Sequence, residues 1–199
     1  MQFTQELARF LPSVARAIRN HKWEQHLNGI LLPRERCVIG GAYSYRLNGG
    51  DWSVPEPNLL PTEGLNFALD LLGNTGTPAA AYIALYANST TPIAGHNAAG
   101  FTATYGEITS GSEGYTQSTR VVWTAAAAAS AAVNNYASAA EFTIISASSL
   151  TVNGVALLTA SAKGATTGKL ISASKFASTK SFNDDDSFEV KYQLSMTSS

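Results

Sequence analysis

One stretch, residues 150–194, decides the fold class: LTVNGVALLTASAKGATTGKLISASKFASTKSFNDDDSFEVKYQL. Its apolar residues recur at every second position in short runs, a pattern typical of β-strands. Asn153-Gly154 lies between two of these runs and matches a two-residue hairpin turn, and Asn183–Asp186 separates two more. Strands are therefore predicted at Leu150–Val152, Val155–Ala160, Lys169–Ser174, Phe176–Phe182 and Ser187–Leu194.

The period of two begins near residue 80. Tyr82–Tyr86 is apolar at every position, which predicts a central strand buried on both faces. Further strands are predicted at Thr119–Thr124 and Glu141–Ser146, and Ala125–Ala132 is predicted to be extended. Several short strands with regular turns indicate a mainly β protein, with an antiparallel β-sandwich or jelly-roll-like domain over residues 80–199.

The composition changes near residue 58. Residues 1–57 contain seven of the 13 Lys and Arg residues, and glycine and proline interrupt the chain repeatedly between residues 28 and 61. This predicts an N-terminal arm over residues 1–57, made of a helix followed by irregular chain. Residues 58–79 are predicted to form a short helix, starting after Pro61 and ending at Gly73, and a linker.

The arm begins with an apolar stripe that has helical spacing, which indicates an amphipathic helix. Two interpretations remain open: the stripe docks on a partner subunit, or it packs on the protein's own domain. Aromatic and aliphatic side chains dominate the energetics of interfaces, so these residues are the candidate anchors. The predicted partner-binding residues are Phe3, Leu7, Phe10, Val14, Ile18 and Trp23.

Charge is scarce in this sequence of 199 residues. Charged residues make up 14%, against about 25% in a typical soluble domain. The centres of protein interfaces are similarly depleted in charge, so the composition favours a protein that associates with itself or a partner.

The formal net charge of −1 argues against a nucleic-acid partner. No signal peptide or membrane span is predicted, and the single cysteine, Cys37, favours assembly in a reducing cytosol.

The motifs that could carry chemistry are weak. His21 and His26 are five residues apart. On a helix they would point about 140° away from each other, so they cannot form a two-histidine metal site on one face. Gly95–Gly100 lacks the Lys-Ser/Thr of a phosphate-binding loop and is predicted to be a loop between strands. Ser110–Gly114 departs from the nucleophile elbow at its first position, and Asp184–Asp186 is predicted to be a solvated turn rather than a calcium site. We therefore expect a protein that is not an enzyme and that has no metal or cofactor.

Three C-terminal segments carry a resemblance: Gly154–Leu158, Lys163–Phe176 and Phe188–Leu194. Together with Pro61–Asn66 and Tyr82–Tyr86 they resemble small virion structural proteins of tailed bacteriophages, in particular capsid cement or decoration proteins. The resemblance covers roughly residues 60–199, and Asp184–Asp186 departs from it. It implies a β-sandwich with an N-terminal arm, and it implies no catalytic residues.

The expected function is that of a non-enzymatic virion protein that binds the outside of a phage capsid and clamps neighbouring subunits. The expected partners are the major capsid protein and further copies of the chain, with a trimer favoured. The expected location is the capsid surface, after assembly in the host cytoplasm. Two alternatives are a head–tail adaptor or tail-accessory protein, and a receptor- or glycan-binding β-sandwich module.

Overall fold

The computed structural model describes residues 23–25, 31–33 and 37–198. The chain divides into a main unit, Ile39–Ser195, and a second unit that combines Met1–Val38 with Met196–Ser199. In the second unit, β1 (Trp23–Gln25) and β2 (Leu31–Pro33) pair antiparallel, with Glu24 opposite Leu32. None of the described helices is long and apolar enough to cross a membrane.

Two antiparallel sheets and two helices make up the described elements that follow β2. One sheet has the order β11-β10-β5-β7, and the other has the order β4-β3-β12-β9-β6 with β8 also paired to β12. The elements are β3 (Cys37–Leu47), β4 (Glu56–Pro57), α1 (Thr62–Leu72), β5 (Tyr82–Tyr86), α2 (Ala98–Tyr105), β6 (Gly114–Tyr115), β7 (Val121–Val122), β8 (Ala132–Asn134), β9 (Ala140–Ile145), β10 (Leu150–Leu158), β11 (Leu170–Phe182) and β12 (Ser187–Ser198).

The main core lies between the two sheets. Alternate residues of β5 and β10 enter it from one side, for example Ile83 and Val155, and aromatic residues enter it from the other. Tyr43 of β3 stacks on Tyr192 of β12, with 4.3 Å between the ring centroids. The protein is therefore mainly β with facing antiparallel sheets, an arrangement consistent with the predicted sandwich.

A second apolar cluster covers the outer face of the β5–β10 sheet. Tyr86 of β5 packs against Phe101 and Tyr105 of α2, at centroid distances of 6.3 and 4.8 Å. The prediction that β5 is buried on both faces is confirmed: Ile83 and Leu85 face the main core, while Ala84 and Tyr86 face α2. The helix predicted after Pro61 is also confirmed as α1, with Gly73 at its end.

The N-terminal boundary predicted at residue 57 differs from the structure. Residues 39–57 belong to the main unit, and β3 is an eleven-residue strand where irregular chain was expected. Gly41 is not a turn residue, because a Cβ there would lie 2.6 Å from both the Tyr192 hydroxyl and the backbone oxygen of Gln193. Its lack of a side chain lets β3 and β12 approach each other closely.

The hairpin turn predicted at Asn153-Gly154 is wrong. β10 runs unbroken through both residues, with a shift of register between Val152 and Gly154 in its pairing with β11. A Cβ on Gly154 would collide with the ring of Tyr86 and with the backbone oxygen of Ser174. The glycine therefore serves close packing and not a turn.

Two other local predictions differ from the structure. The loop predicted over Gly95–Gly100 contains the start of α2, whose cap Asn97 accepts a hydrogen bond from the Gly100 amide at 2.9 Å. The turn at Asn183–Asp186 exists, with Asp185 at a φ of 63°, but it links β11 and β12, which lie in different sheets. It is a crossing between sheets rather than a hairpin.

We expect Gly154→Ala to destabilise the protein by at least about 2 kcal/mol, because the fully buried Tyr86 ring and the β11 backbone would both have to shift to admit a Cβ. The melting temperature measured by circular dichroism should fall by at least about 4 °C. Gly95→Ala is the matched control, since nothing lies within 4 Å of its Cβ position. Equal melting temperatures for the two variants would contradict the packing role of Gly154.

We expect deletion of residues 1–57 to abolish cooperative unfolding, because it removes β3 and the fully buried Tyr43 from the main core. Deletion of residues 1–36 should preserve a cooperative thermal transition, since the main unit begins at Ile39. Differential scanning calorimetry of both truncated chains measures this. A normal transition after deletion of residues 1–57 would show that the sheets fold without β3.

Candidate binding surfaces and a buried ion pair

The predicted partner-binding residues lie almost entirely beyond the described part of the chain. Only the backbone of Trp23 is described, in β1, and its side chain is not. Docking through this stripe stays a prediction. The residues outside the described part are Phe3, Leu7, Phe10, Val14 and Ile18, together with His21 and His26.

A fully buried ion pair connects Glu107 and Arg120. Two parallel hydrogen bonds run from Arg120 to Glu107, Nε to Oε1 at 2.7 Å and Nη2 to Oε2 at 2.8 Å, and both side chains have 0% exposure. The guanidinium also donates to the backbone oxygens of Ala160, at 2.9 Å, and Ala165, at 3.3 Å. A buried charge pair is stable only when its remaining donors and acceptors are satisfied in this way.

The Glu107 carboxylate also accepts hydrogen bonds from two groups other than Arg120. Its Oε2 accepts a hydrogen bond from the Thr102 hydroxyl at 2.8 Å and another from the Gly164 amide at 3.0 Å. The carboxylate therefore joins α2, the segment before β7 and the loop between β10 and β11. Both oxygens of the Glu107 carboxylate accept hydrogen bonds that connect parts of the fold.

The buried tyrosines are also structural. Tyr43 and Ser172 share a hydrogen bond of 2.6 Å, and Tyr192 accepts one from the side-chain amide of Asn58 at 3.1 Å. Burial raises the pKa of Tyr105 and of Tyr192 to about 12. These phenols remain protonated at neutral pH, so they do not supply an activated oxygen nucleophile.

The acidic turn Asp184–Asp186 makes local hydrogen bonds. Asp184 accepts from the Ser146 amide at 3.0 Å, and Asp186 accepts from the Asn48 side-chain amide at 2.7 Å and the Asn183 amide at 2.7 Å. The hydrogen bond from Asn48 lowers the pKa of Asp186. Within residues 23–25, 31–33 and 37–198, no three His, Cys, Asp or Glu residues form a group that could hold a metal.

The loop Ser110–Gly114 is likewise a local hydrogen-bonded turn. The Ser110 hydroxyl oxygen accepts from the amides of Ser112, at 3.1 Å, and Glu113, at 2.9 Å. The Glu113 carboxylate in turn accepts from the Ser146 hydroxyl at 2.9 Å. These contacts fix the loop against the segment that follows β9.

An open polar cleft, which we call the His96 cleft, lies between the start of α1 and the start of α2. It measures about 370 Å³, and a smaller cleft of about 150 Å³ adjoins it through Gly95, His96 and Asn97. No sequence motif marks this cleft, because its walls come from parts of the chain that are far apart in sequence. The lining residues are Thr62, Glu63, Asn66, Phe67, Asp70, Ala94, Gly95, His96, Asn97 and Lys169.

A row of three leucines lies along α1: Leu65 is half-buried, and the other two are exposed to solvent. Leu65, Leu69 and Leu72 follow the helical spacing of four and three, and Leu69 and Leu72 are 60% and 68% exposed. We call these three residues the leucine stripe. Adjacent exposed leucines on a helix are typical of an interaction surface.

Trp52 lies against the outer face of the β3–β12 sheet. The Arg46 guanidinium is 4.7 Å from the centroid of its ring, and the Lys191 ammonium is 3.8 Å from it. Arg46 also forms a bidentate ion pair with Glu189, at 2.7 and 2.8 Å. These cation–π and ionic contacts hold the loop between β3 and β4 in place.

No protein-family model, curated protein or solved structure matches this chain.

We expect Arg120→Met to destabilise the protein by about 3–5 kcal/mol, because Glu107 is left buried without its counter-charge. Arg46→Met is the matched control, since it removes an ion pair of the same bidentate geometry from a partly exposed position, where the Arg46 and Glu189 side chains are 30% and 17% exposed. Urea unfolding at pH 7 should show a much smaller loss for the control. Comparable losses for the two variants would contradict the role of the buried pair.

Proposed function

We propose that this chain is a non-enzymatic structural protein of a bacteriophage virion, acting as a cement or decoration protein on the capsid surface after assembly in the host cytoplasm. Its partners are the major capsid protein and further copies of the chain, with a trimer as the favoured oligomer. In this proposal the two sheets form a jelly-roll-like sandwich. The resemblance of residues 60–199 to such proteins and the facing antiparallel sheets both support it.

The observation that carries the proposal is the leucine stripe. Leu69 and Leu72 remain more than half exposed, whereas Ile83, Leu85 and Val155 of the same unit are completely buried. Covering them on a capsid subunit would remove apolar surface from water, which stabilises association by about 25 cal/mol per Å². The stripe is therefore the proposed contact with the major capsid protein.

The low charge of the chain supports the same function. Only 14% of its residues are charged, and serine and threonine are abundant after residue 58. Burying such a surface removes few charges from water, so neighbouring subunits can pack closely at a small desolvation cost. This property favours a protein that lies among many identical subunits.

The hydrogen bonding around the buried ion pair of the main unit is a third supporting observation. The titratable groups at its centre, Glu107 and Arg120, hold each other and the surrounding backbone. A rigid unit loses little conformational entropy when it binds, which favours tight attachment to a shell.

We expect the double variant Leu69→Ser, Leu72→Ser to lower the affinity for purified expanded heads of the encoding phage by at least about tenfold. Truncation of buried interface anchors costs about 1–2 kcal/mol each, and 1.4 kcal/mol corresponds to a factor of ten. Co-sedimentation with the heads measures the bound copies, and calorimetry checks that the melting temperature of the free protein is unchanged.

Val54→Ser is the matched control, because Val54 is 82% exposed but lies outside the leucine stripe. It should leave the number of bound copies unchanged. Binding to isolated tails rather than heads would overturn the cement function in favour of a tail-accessory role. Equal binding by the double variant and the unaltered protein would show that the stripe is not the contact.

A further inference from the structure

We propose that the His96 cleft is a binding site for a neutral hexose residue of a glycan. The inference rests on the cleft's own side chains and is independent of the attachment to a capsid. Its volume of about 370 Å³ falls in the range of small-molecule sites, which run from about 300 to 1,000 Å³.

His96 is held in one orientation at the centre of the site. Its Nδ1 lies 2.6 Å from the hydroxyl of the buried Tyr105 and 3.4 Å from the backbone amide of Ile93. A backbone amide only donates, so Nδ1 is the acceptor and the ring proton belongs on Nε2. With Nδ1 engaged in these two contacts, the donor that His96 brings to the cleft is its Nε2–H.

Glu63 is fixed in a similar way. Its Oε2 accepts hydrogen bonds from the backbone amides of Ala98 and Leu170, both at 2.8 Å. The first of these amides begins α2, so the carboxylate also stabilises the start of that helix. Its Oε1 lies 4.0 Å from the Lys169 ammonium, at the wall of the cleft.

The remaining walls add both acceptors and donors. Asn97 uses its Oδ1 to accept from the Gly100 amide, which leaves its side-chain NH₂ as a donor. Asp70 supplies a second carboxylate, Asn66 a second amide, and Phe67 an aromatic ring. Mixed donors and acceptors around one ring match a sugar, whose hydroxyls each donate and accept hydrogen bonds and whose C–H faces pack on aromatic surfaces.

The charge of the cleft selects against other ligands. Glu63 and Asp70 carry two negative charges and Lys169 carries one positive charge, so the wall is net negative. A phosphate or an acidic sugar would be repelled at close range. A neutral hexose meets no such penalty, and the mostly polar lining disfavours a lipid or a drug-like apolar ligand.

The test is a ¹⁵N–¹H NMR titration of the full chain at pH 7 with four free monosaccharides: glucose, galactose, mannose and N-acetylglucosamine. At least one should cause saturable shifts in the amides of Gly95, His96, Asn97 and Lys169. Inorganic phosphate and glucuronic acid are the anionic probes and should cause none. Saturable shifts from the anions alone, or from no probe at all, would overturn the proposal.

Two cleft variants, Asn66→Ala and Asp70→Asn, should each weaken the sugar's affinity at least tenfold with an unchanged melting temperature. Leu69→Ser is the matched control on the same helix, since at 100° per residue the leucine stripe and these two residues lie roughly 110° apart. It should leave the affinity unchanged. Unaltered affinity in both cleft variants would show that the sugar binds outside the His96 cleft. Capsid attachment is measured separately, so the two proposals fail independently.

Discussion

The pairing of Glu107 with Arg120 is the interaction on which much of the main unit depends. Placing two charges where neither side chain reaches solvent costs several kcal/mol per ion unless each is fully compensated. Arg120 donates a hydrogen bond to the backbone oxygen of Ala160, and Glu107 accepts one from the backbone amide of Gly164. These two bonds hold the loop between β10 and β11 against the end of α2. The need to compensate these two buried charges therefore positions α2, the segment before β7 and the loop between β10 and β11.

Another glutamate, Glu63, stabilises the opposite end of α2. Glu63 accepts from the first amide of the helix, and Glu107 follows its last turn. With both ends fixed, Tyr86, Phe101 and Tyr105 pack as one aromatic cluster on the outer face of β5. The position of Tyr105 then orients His96, so the shape of the His96 cleft follows from the packing of α2.

Several elements could be predicted because their signals are local. The apolar run at Tyr82–Tyr86 predicted a strand buried on both faces, and Pro61 and Gly73 bracket α1 at the expected positions. Glycine in a sequence signals either a turn or a close contact, and the sequence alone does not distinguish the two. At Gly41 and Gly154 the neighbours Tyr192 and Tyr86 decide between these, and both neighbours are distant in sequence.

The sequence by itself determined the mainly β character, the antiparallel pairing and the scarcity of charge, since these depend on side-chain period and composition. Only the tertiary structure decided that β3 belongs to the main unit, that α2 forms, and that Glu107 meets Arg120. α2 contains a glycine and two β-branched threonines, so its intrinsic helix propensity is low and its stability comes from packing. The His96 cleft also depends on the tertiary structure, because Glu63, His96 and Lys169 meet only when α1 and the starts of α2 and β11 are brought together.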